Sequence, residues 1–250
     1  MSQFDVDYER GRRLVDEQIR RNAHLSTYDL FRLSWRVINE NEDMFKGRAG
    51  ASGFDQRAWR VFVHHDLGKY FLRMRPDFIP PVRALEALPR GAVIVTVHTG
   101  LELGIVRALL ARSVKLSVIH LPNPRNRERA TLFKPSPEVQ YITADANCLL
   151  NARRALQLGR SILGDCDHPV DEDVRATSIR AIRGSLFETA KRADASLFFV
   201  LPYVDTHGQI AFRTELLPQP LSRAVDYRLH FISFLKRSGL DWIEWRTPGS

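Results

Sequence analysis

Cysteine is scarce in this sequence. Its 250 residues hold two, Cys148 and Cys166, which match no metal-ligand spacing and supply no disulfide framework. A reducing cytoplasm is the simplest compartment for such a chain. Long hydrophobic runs are also missing: no apolar stretch reaches the roughly 18–20 residues that a membrane-spanning helix needs. The opening segment, MSQFDVDYERGRRLVDEQIRR, is charged throughout, which is not the pattern of a signal peptide. There is no internal repeat, no low-complexity tract, no GxxxxGK phosphate loop, no zinc-finger spacing and no RNA-recognition aromatic motif. Nucleic-acid binding therefore rests on charge alone, and we expect no nucleic-acid partner.

What is present is an ordinary globular composition, 44% hydrophobic and 26% charged, in a chain long enough to bury a core as one domain. The net charge is +8. Such a balance suits an anionic partner, whether a phosphate-bearing substrate or an anionic membrane surface. It equally suits many solvated arginines, because bases and acids interleave along the helices.

Patterning divides the chain into a helical region, 1–80, and an α/β core, 91–247. Residues 5–22 read as a charged helix. A second helix spans 27–40, with Leu30, Leu33, Val37 and Ile38 at helical spacing. Residues 42–53 read as a loop. A third helix spans 56–75, with Trp59, Phe62, Val63, Leu67, Tyr70 and Phe71 on one stripe, closed by Pro76, Pro80 and Pro81. From residue 91 short apolar runs rich in β-branched residues alternate with helical patterns. Strands are expected at 92–97, 115–120, 139–143, 161–164, 196–204 and 209–217. Helices are expected at 101–112, 146–159 (ended by Gly159), 182–194 and 223–237. The turn DTHG makes the last two strands antiparallel. The expected fold is α/β: a mostly parallel central sheet with helices on both faces, an antiparallel C-terminal hairpin and a helical N-terminal region.

In such sheets functional groups sit where strands end and helices begin. His98 occupies that position in VIVTVHTGLELG (93–104). Two readings compete. Thr99 can cap the next helix with Glu102 three residues on, a capping box, which leaves His98 a satisfied histidine. Alternatively His98 is a general base whose imidazolium Glu102 orients and stabilises. The two readings are compatible.

VHTGLELG resembles the corresponding segment of the bacterial lipid A late acyltransferases, the lauroyl/myristoyl family within the lysophospholipid acyltransferase-like superfamily. ARRALQLGRSILGDCDHP (152–169), IRGSLFETAKRADASLFFVLPYVDTHGQIAFRTELLP and the terminal DWIEWRTP are similar to later family segments in the same order, so the resemblance covers about residues 30–247. It implies an acyltransferase moving a fatty acyl group from an acyl carrier protein or coenzyme A thioester to a hydroxyl or amine. The acceptor would be a lipid, glycolipid or small metabolite. It further implies catalytic His98 and Glu102, structural roles for Asp167 and Gly184, and no cofactor beyond the acyl-ACP or acyl-CoA donor. Three departures stand out. Only Thr99, Gly100 and Leu101 separate His98 from Glu102, where the family usually has four residues. Leu121 stands in place of a family arginine, which Arg125 and Arg127 are near enough to replace. No N-terminal membrane span is present, so membrane contact would be peripheral, on the inner face of the cell membrane, by basic and aromatic N-terminal helices. A non-catalytic lipid-binding relative is the alternative.

Other candidates are weaker. Arg125, Arg127, Arg129 and Lys134 form the densest basic segment, and Arg180 lies in a second basic loop before a helix. Arg125, Arg127 and Arg180 are expected to hold anionic parts of donor or acceptor, where the guanidinium fork suits phosphate oxygens. His120 ends the second strand and Gly100 adjoins the oxyanion position; both are assigned to substrate binding. His64, His65 and Asp66 read as surface or boundary residues of the third helix, since adjacent histidines on a helix point about 100° apart and cannot form a face pair alone. GDCDHP offers Asp165, Cys166, Asp167 and His168 in one loop without a metal pattern, and we expect no metal. Cys166 has no identifiable base to make it a nucleophile.

Overall fold

The computed structural model of the protein describes residues 13–40, 71–75, 77–97, 101–120, 137–167, 182–205, 207, 209–217 and 219–238. Residues 13–21 are helical. Helix α1 (Thr27–Glu40) follows. Its first turn is closed by Ser26, whose Oγ accepts the Asp29 N–H at 3.1 Å and donates to the Asp29 carboxylate at 2.6 Å, a side-chain cap on the free helix donors. Leu30, Phe31 and Ser34 of α1 are buried; the side chains of Val37 and Ile38 lie outside the described residues. A helical segment at 71–74 and a single 3-10 turn, Arg83–Leu85, lead into the core.

The core runs β1 (Val93–Thr96), α2 (Glu102–Ala111), β2 (Leu116–His120), β3 (Val139–Thr143), α3 (Cys148–Gln157), β4 (Ser161–Asp165), α4 (Ser185–Ala193), β5 (Leu197–Val204), β6 (Ile210–Leu217) and α5 (Tyr227–Ser238). The strands form one six-stranded sheet in the order β3-β2-β4-β1-β5-β6. All neighbours are parallel except β5 and β6, an antiparallel pair from Leu197↔Leu217 to Val204↔Ile210. Asp205 shapes the turn between them by accepting the N–H groups of His207 and Gln209, each at 2.8 Å. Pro202 sits in β5 beyond its last β1 pairing at Phe199, where its missing N–H costs the sheet least.

Side chains alternate between faces along each strand. Ile94, Leu163, Phe198 and Val200 pack with Leu101, Ile105 and Leu109 around α2, and with Phe31, Phe71 and Phe78 of the N-terminal region. Those three rings meet at 4.9–6.0 Å between centroids. Val93, Val95, Ile162, Leu197 and Phe199 pack on the other face against α3, α4 and α5, where Phe187, Phe199, Phe231 and Phe234 form a second aromatic cluster. The α/β expectation therefore holds, with helices on both faces and an antiparallel hairpin. The crossover through α2 and those through α3 and α4 run in opposite directions across the sheet on opposite faces. That keeps one hand throughout, as twisted parallel sheets require.

The helices of the core begin later than their sequence pattern suggests, two of them by three or four residues. Residue 182 was expected in α4, but Ile182 forms an antiparallel bridge with Asp167, and the helix waits until Ser185. Residue 223 was expected in α5, but Asp226 accepts the Arg228 N–H at 3.0 Å and starts the helix at Tyr227. Gly159, with φ of +73°, ends the α3 segment as expected. Among the described residues no helix is long and apolar enough to cross a membrane.

Arginines join these parts by donating to main-chain carbonyls. Buried Arg107 of α2 bonds the carbonyl oxygens of Leu72 at 2.5 Å, Arg75 at 2.8 Å and Phe78 at 3.3 Å. It thereby closes the C-terminal end of the 71–74 segment, where a cation also suits the helix dipole. Burial lowers its pKa, yet an arginine stays charged at any ordinary pH. Arg112 bonds the Leu85 and Glu86 carbonyls, and Arg160 bonds Ser117 Oγ and the Leu116 and Glu138 carbonyls. Beside Arg107, Arg75 pairs with Asp77 at 2.8 Å, and Thr27 Oγ1 donates to Asp77 at 2.6 Å.

Replacing Arg107 with Met would take a donor from the buried Leu72 and Phe78 carbonyls, while the Arg75 carbonyl keeps the Phe78 N–H, and we expect a loss of about 2–4 kcal/mol in urea unfolding at neutral pH. A loss below about 1 kcal/mol would mean that water or neighbouring donors replace the guanidinium. The hydrogen bond from Arg75, then that from Thr27, hold the Asp77 carboxyl well below the usual carboxylate range. Its ionised form thus stabilises the fold above the unfolded pKa near 4, and that contribution disappears as pH falls further toward the folded value. Asp77→Asn should cost under about 1 kcal/mol at pH 7, since Asp77 is half exposed and water screens the pair. The difference from wild type should shrink below about pH 4, which chemical denaturation across pH measures.

Candidate functional site

Strand β1 is the centre of the molecule. Val93, Ile94, Val95, Thr96 and Val97 are all fully buried, with β4 on one edge and β5 on the other. The chain leaves β1 for α2 on one face of the sheet, and leaves the neighbouring β4 for α4 on the other. In open α/β sheets, adjacent strands whose connections leave on opposite faces mark where a ligand crevice usually lies, at their carboxyl ends.

Thr96 and Asp165 are paired across this end. One residue further, the Cys166 N–H donates to the Thr96 carbonyl at 3.0 Å, and the Cys166 carbonyl accepts the Arg183 N–H at 2.7 Å. Asp167 is 2% exposed and held by its bridge to Ile182. Two carboxylates thus mark the end of β4, partly buried Asp165 as its last residue and fully buried Asp167 two residues on. The run SILGDCD signals them in the sequence, since acids directly after a buried apolar strand stand at its exit. Their weight at this crevice depends on β4 lying next to β1, which strand spacing in sequence does not reveal.

On the β1 side the helix begins at Glu102, with buried Leu101 as its N-cap residue and the Gly104 N–H closing onto the Leu101 carbonyl at 2.8 Å. Glu102 is therefore the first helical residue, and the expected capping box from Thr99 is corrected. The physical reason is apolar: Leu101, Leu103 and Ile105 are drawn into the core, and their burial sets where the helix starts. Glu102 is half buried in the first turn, where its charge suits the positive end of the helix dipole. Gly104 makes the close approach possible, since a β-carbon there would stand 3.2 Å from the ring of Pro80.

His120 is the last residue of β2, opposite Thr143 of β3, and its ring meets Tyr141 edge to face at 5.6 Å. In the strand order, β4 separates β2 from β1. His120 thus stands on the strand-end row two spacings from β1, about 9–10 Å across the sheet. The structure therefore puts Glu102, His120, Asp165 and Asp167 at one end of the sheet. His98, Gly100, Arg125, Arg127 and Arg180 lie outside the described residues, as do His64, His65, Asp66 and His168. Among the described residues no group of three or more His, Cys, Asp or Glu side chains is placed to hold a metal ion.

No protein-family model matches the chain, and no curated protein matches it in sequence. Three solved chains match in structure; one is the ATPase DotB of Legionella pneumophila, at 11% identity with a TM-score of 0.31. That match covers 64% of this chain, which spans 57% of the DotB chain. A likeness of this grade assigns nothing.

Cys166 is fully buried, and burial first, then the charges of Asp167 and Asp165, push its thiol well above the ordinary range. A protonated, enclosed thiol is a poor nucleophile. In a Cys148→Ser background, Cys166 should react with a disulfide reagent at pH 8 at least about 1,000-fold more slowly than in the denatured chain. Labelling at the denatured rate would show that the end of β4 opens freely.

Proposed function

We propose that the chain is an acyltransferase, moving a fatty acyl group from an acyl-ACP or acyl-CoA thioester to a hydroxyl or amine acceptor. The observation that carries this reading is the location of VHTGLELG. Its first residue, Val97, directly follows central strand β1, and its Glu102 opens α2, at the crevice between β1 and β4. The resemblance of the surrounding segments to the lipid A late acyltransferases supplies the chemistry.

In this reading His98 takes the proton of the acceptor as its oxygen or nitrogen attacks the thioester carbonyl. The carbon–sulfur bond then breaks, and the proton leaves with the thiol. The acceptor attacks directly, so no acyl-enzyme forms and neither cysteine takes part. Glu102 stabilises the imidazolium, and backbone N–H groups of the first turn of α2, with Gly100 beside them, stabilise the oxyanion. Arg125, Arg127, Arg180 and His120 bind the polar and anionic parts of donor and acceptor. Lipids, glycolipids and small metabolites with a hydroxyl or amine are the acceptor classes.

Purified protein would be given a panel of acyl-CoA and acyl-ACP donors, with and without a lipid and metabolite extract, and thioester consumption followed. Acceptor-dependent consumption should fall about 100- to 10,000-fold in His98→Ala and less in Glu102→Ala. Mass spectrometry of the product would identify the acceptor. Full activity in Glu102→Ala would reduce that residue to a helix-start role. No consumption by a folded wild type with any donor would overturn acyl transfer in favour of a lipid-binding chain without catalysis.

A further inference from the structure

Helix α3 turns Cys148, Ala152 and Ala155 to the sheet, at i, i+4 and i+7. Its opposite side should be polar in a helix facing water. Instead it carries Leu149, 45% exposed, and Leu150, 49% exposed, and Leu158, 76% exposed, directly follows the helix. Arg153 and Arg154 are exposed among them. Leu150, Arg154 and Leu158 recur every four residues and form one column, and Leu149 with Arg153 begins the next. No acidic residue occurs between Cys148 and Leu158.

We propose that this face docks on the anionic surface of a lipid bilayer. Charge selects the occupant. A second copy packed α3 to α3 about a twofold axis would bring the same arginines together. A bilayer with negative headgroups takes them all. Leucines of the column enter the boundary between headgroups and acyl chains, and the arginines reach phosphate oxygens. Because α3 follows a parallel strand, its first turn, with Leu149 and Leu150, lies at the carboxyl end of the sheet. Docking therefore brings the β1–β4 crevice beside the membrane. This surface lies elsewhere in the chain from the basic N-terminal helix, and it does not rest on acyl transfer.

The test is sedimentation of the full chain with vesicles of phosphatidylcholine, pure or with one-quarter phosphatidylglycerol. Wild type should sediment with the mixed vesicles and not with the pure ones. Arg153→Glu with Arg154→Glu should weaken binding at least about 25-fold. Leu149→Ser with Leu150→Ser should weaken it about 10-fold or more. Arg20→Glu with Arg21→Glu, on the 13–21 helix, should leave most of it, and circular dichroism shows that each variant is folded. Absence of wild-type binding, or loss in the Arg20/Arg21 variant alone, overturns the proposal. So does a wild-type dimer that the Leu149/Leu150 variant converts to monomer, which gives the face to a second copy. The readout needs no thioester, so its failure leaves acyl transfer untouched.

Discussion

Strand β1 touches water on neither face and on neither edge. Val93, Val95 and Val97 point to one helical layer, Ile94 and Leu101 to the other, and β4 and β5 take its main-chain groups. In that setting a polar side chain needs a partner or an exit. The exit is the carboxyl end, where Thr96 meets Asp165 and the chain turns toward Glu102. Burial of β1 thus concentrates polar chemistry at one end of the sheet. The same burial explains why α2 starts at Glu102: two leucines and an isoleucine must enter the core, and the helix begins where they can.

The positive charge of the chain has two uses, and the structure separates them. Arg107, Arg112 and Arg160 are turned inward onto main-chain carbonyl oxygens, several of which also accept a main-chain N–H. Each joins segments far apart in sequence, and Arg107 fixes the N-terminal region to the helix that follows the central strand. Arg228 and Arg237 are paired with Asp226 and Glu215. Arg153 and Arg154 remain outward on a helix without acids. A count of +8 in the sequence treats these residues alike, although only the outward ones can meet an anionic surface.

Much of the fold was legible in the sequence. Periodicities of two and of 3.6 residues located the strands and helices; β3 and α1 coincide with their expected limits, and the hairpin turn announced an antiparallel pair. What was not legible depends on partners distant along the chain. The bridge of Ile182 to Asp167 delays α4, the carbonyl-capping arginines need tertiary neighbours, and β4 inserts between β2 and β1 in the sheet. At the candidate site the sequence reading ended the strand at residue 97, one past its actual end at Thr96. The local spacing of Thr99 and Glu102 suggested a cap, but packing of Leu101 and Leu103 decided the helix start. Asp165 and Asp167 gained weight only once β4 was seen next to β1.

The strand order also has a consequence for how the chain is made. β1 leaves the ribosome first among the strands, yet its two neighbours are the fourth and fifth to be synthesised. About 100 residues separate Thr96 from the start of β5 at Leu197. At typical elongation rates of about 5–20 residues per second, the apolar segment that will become the core waits on the order of 5–20 seconds with one or both edges unpaired. The completed sheet hides β1 entirely, and during synthesis that apolar strand is the one longest in need of shelter.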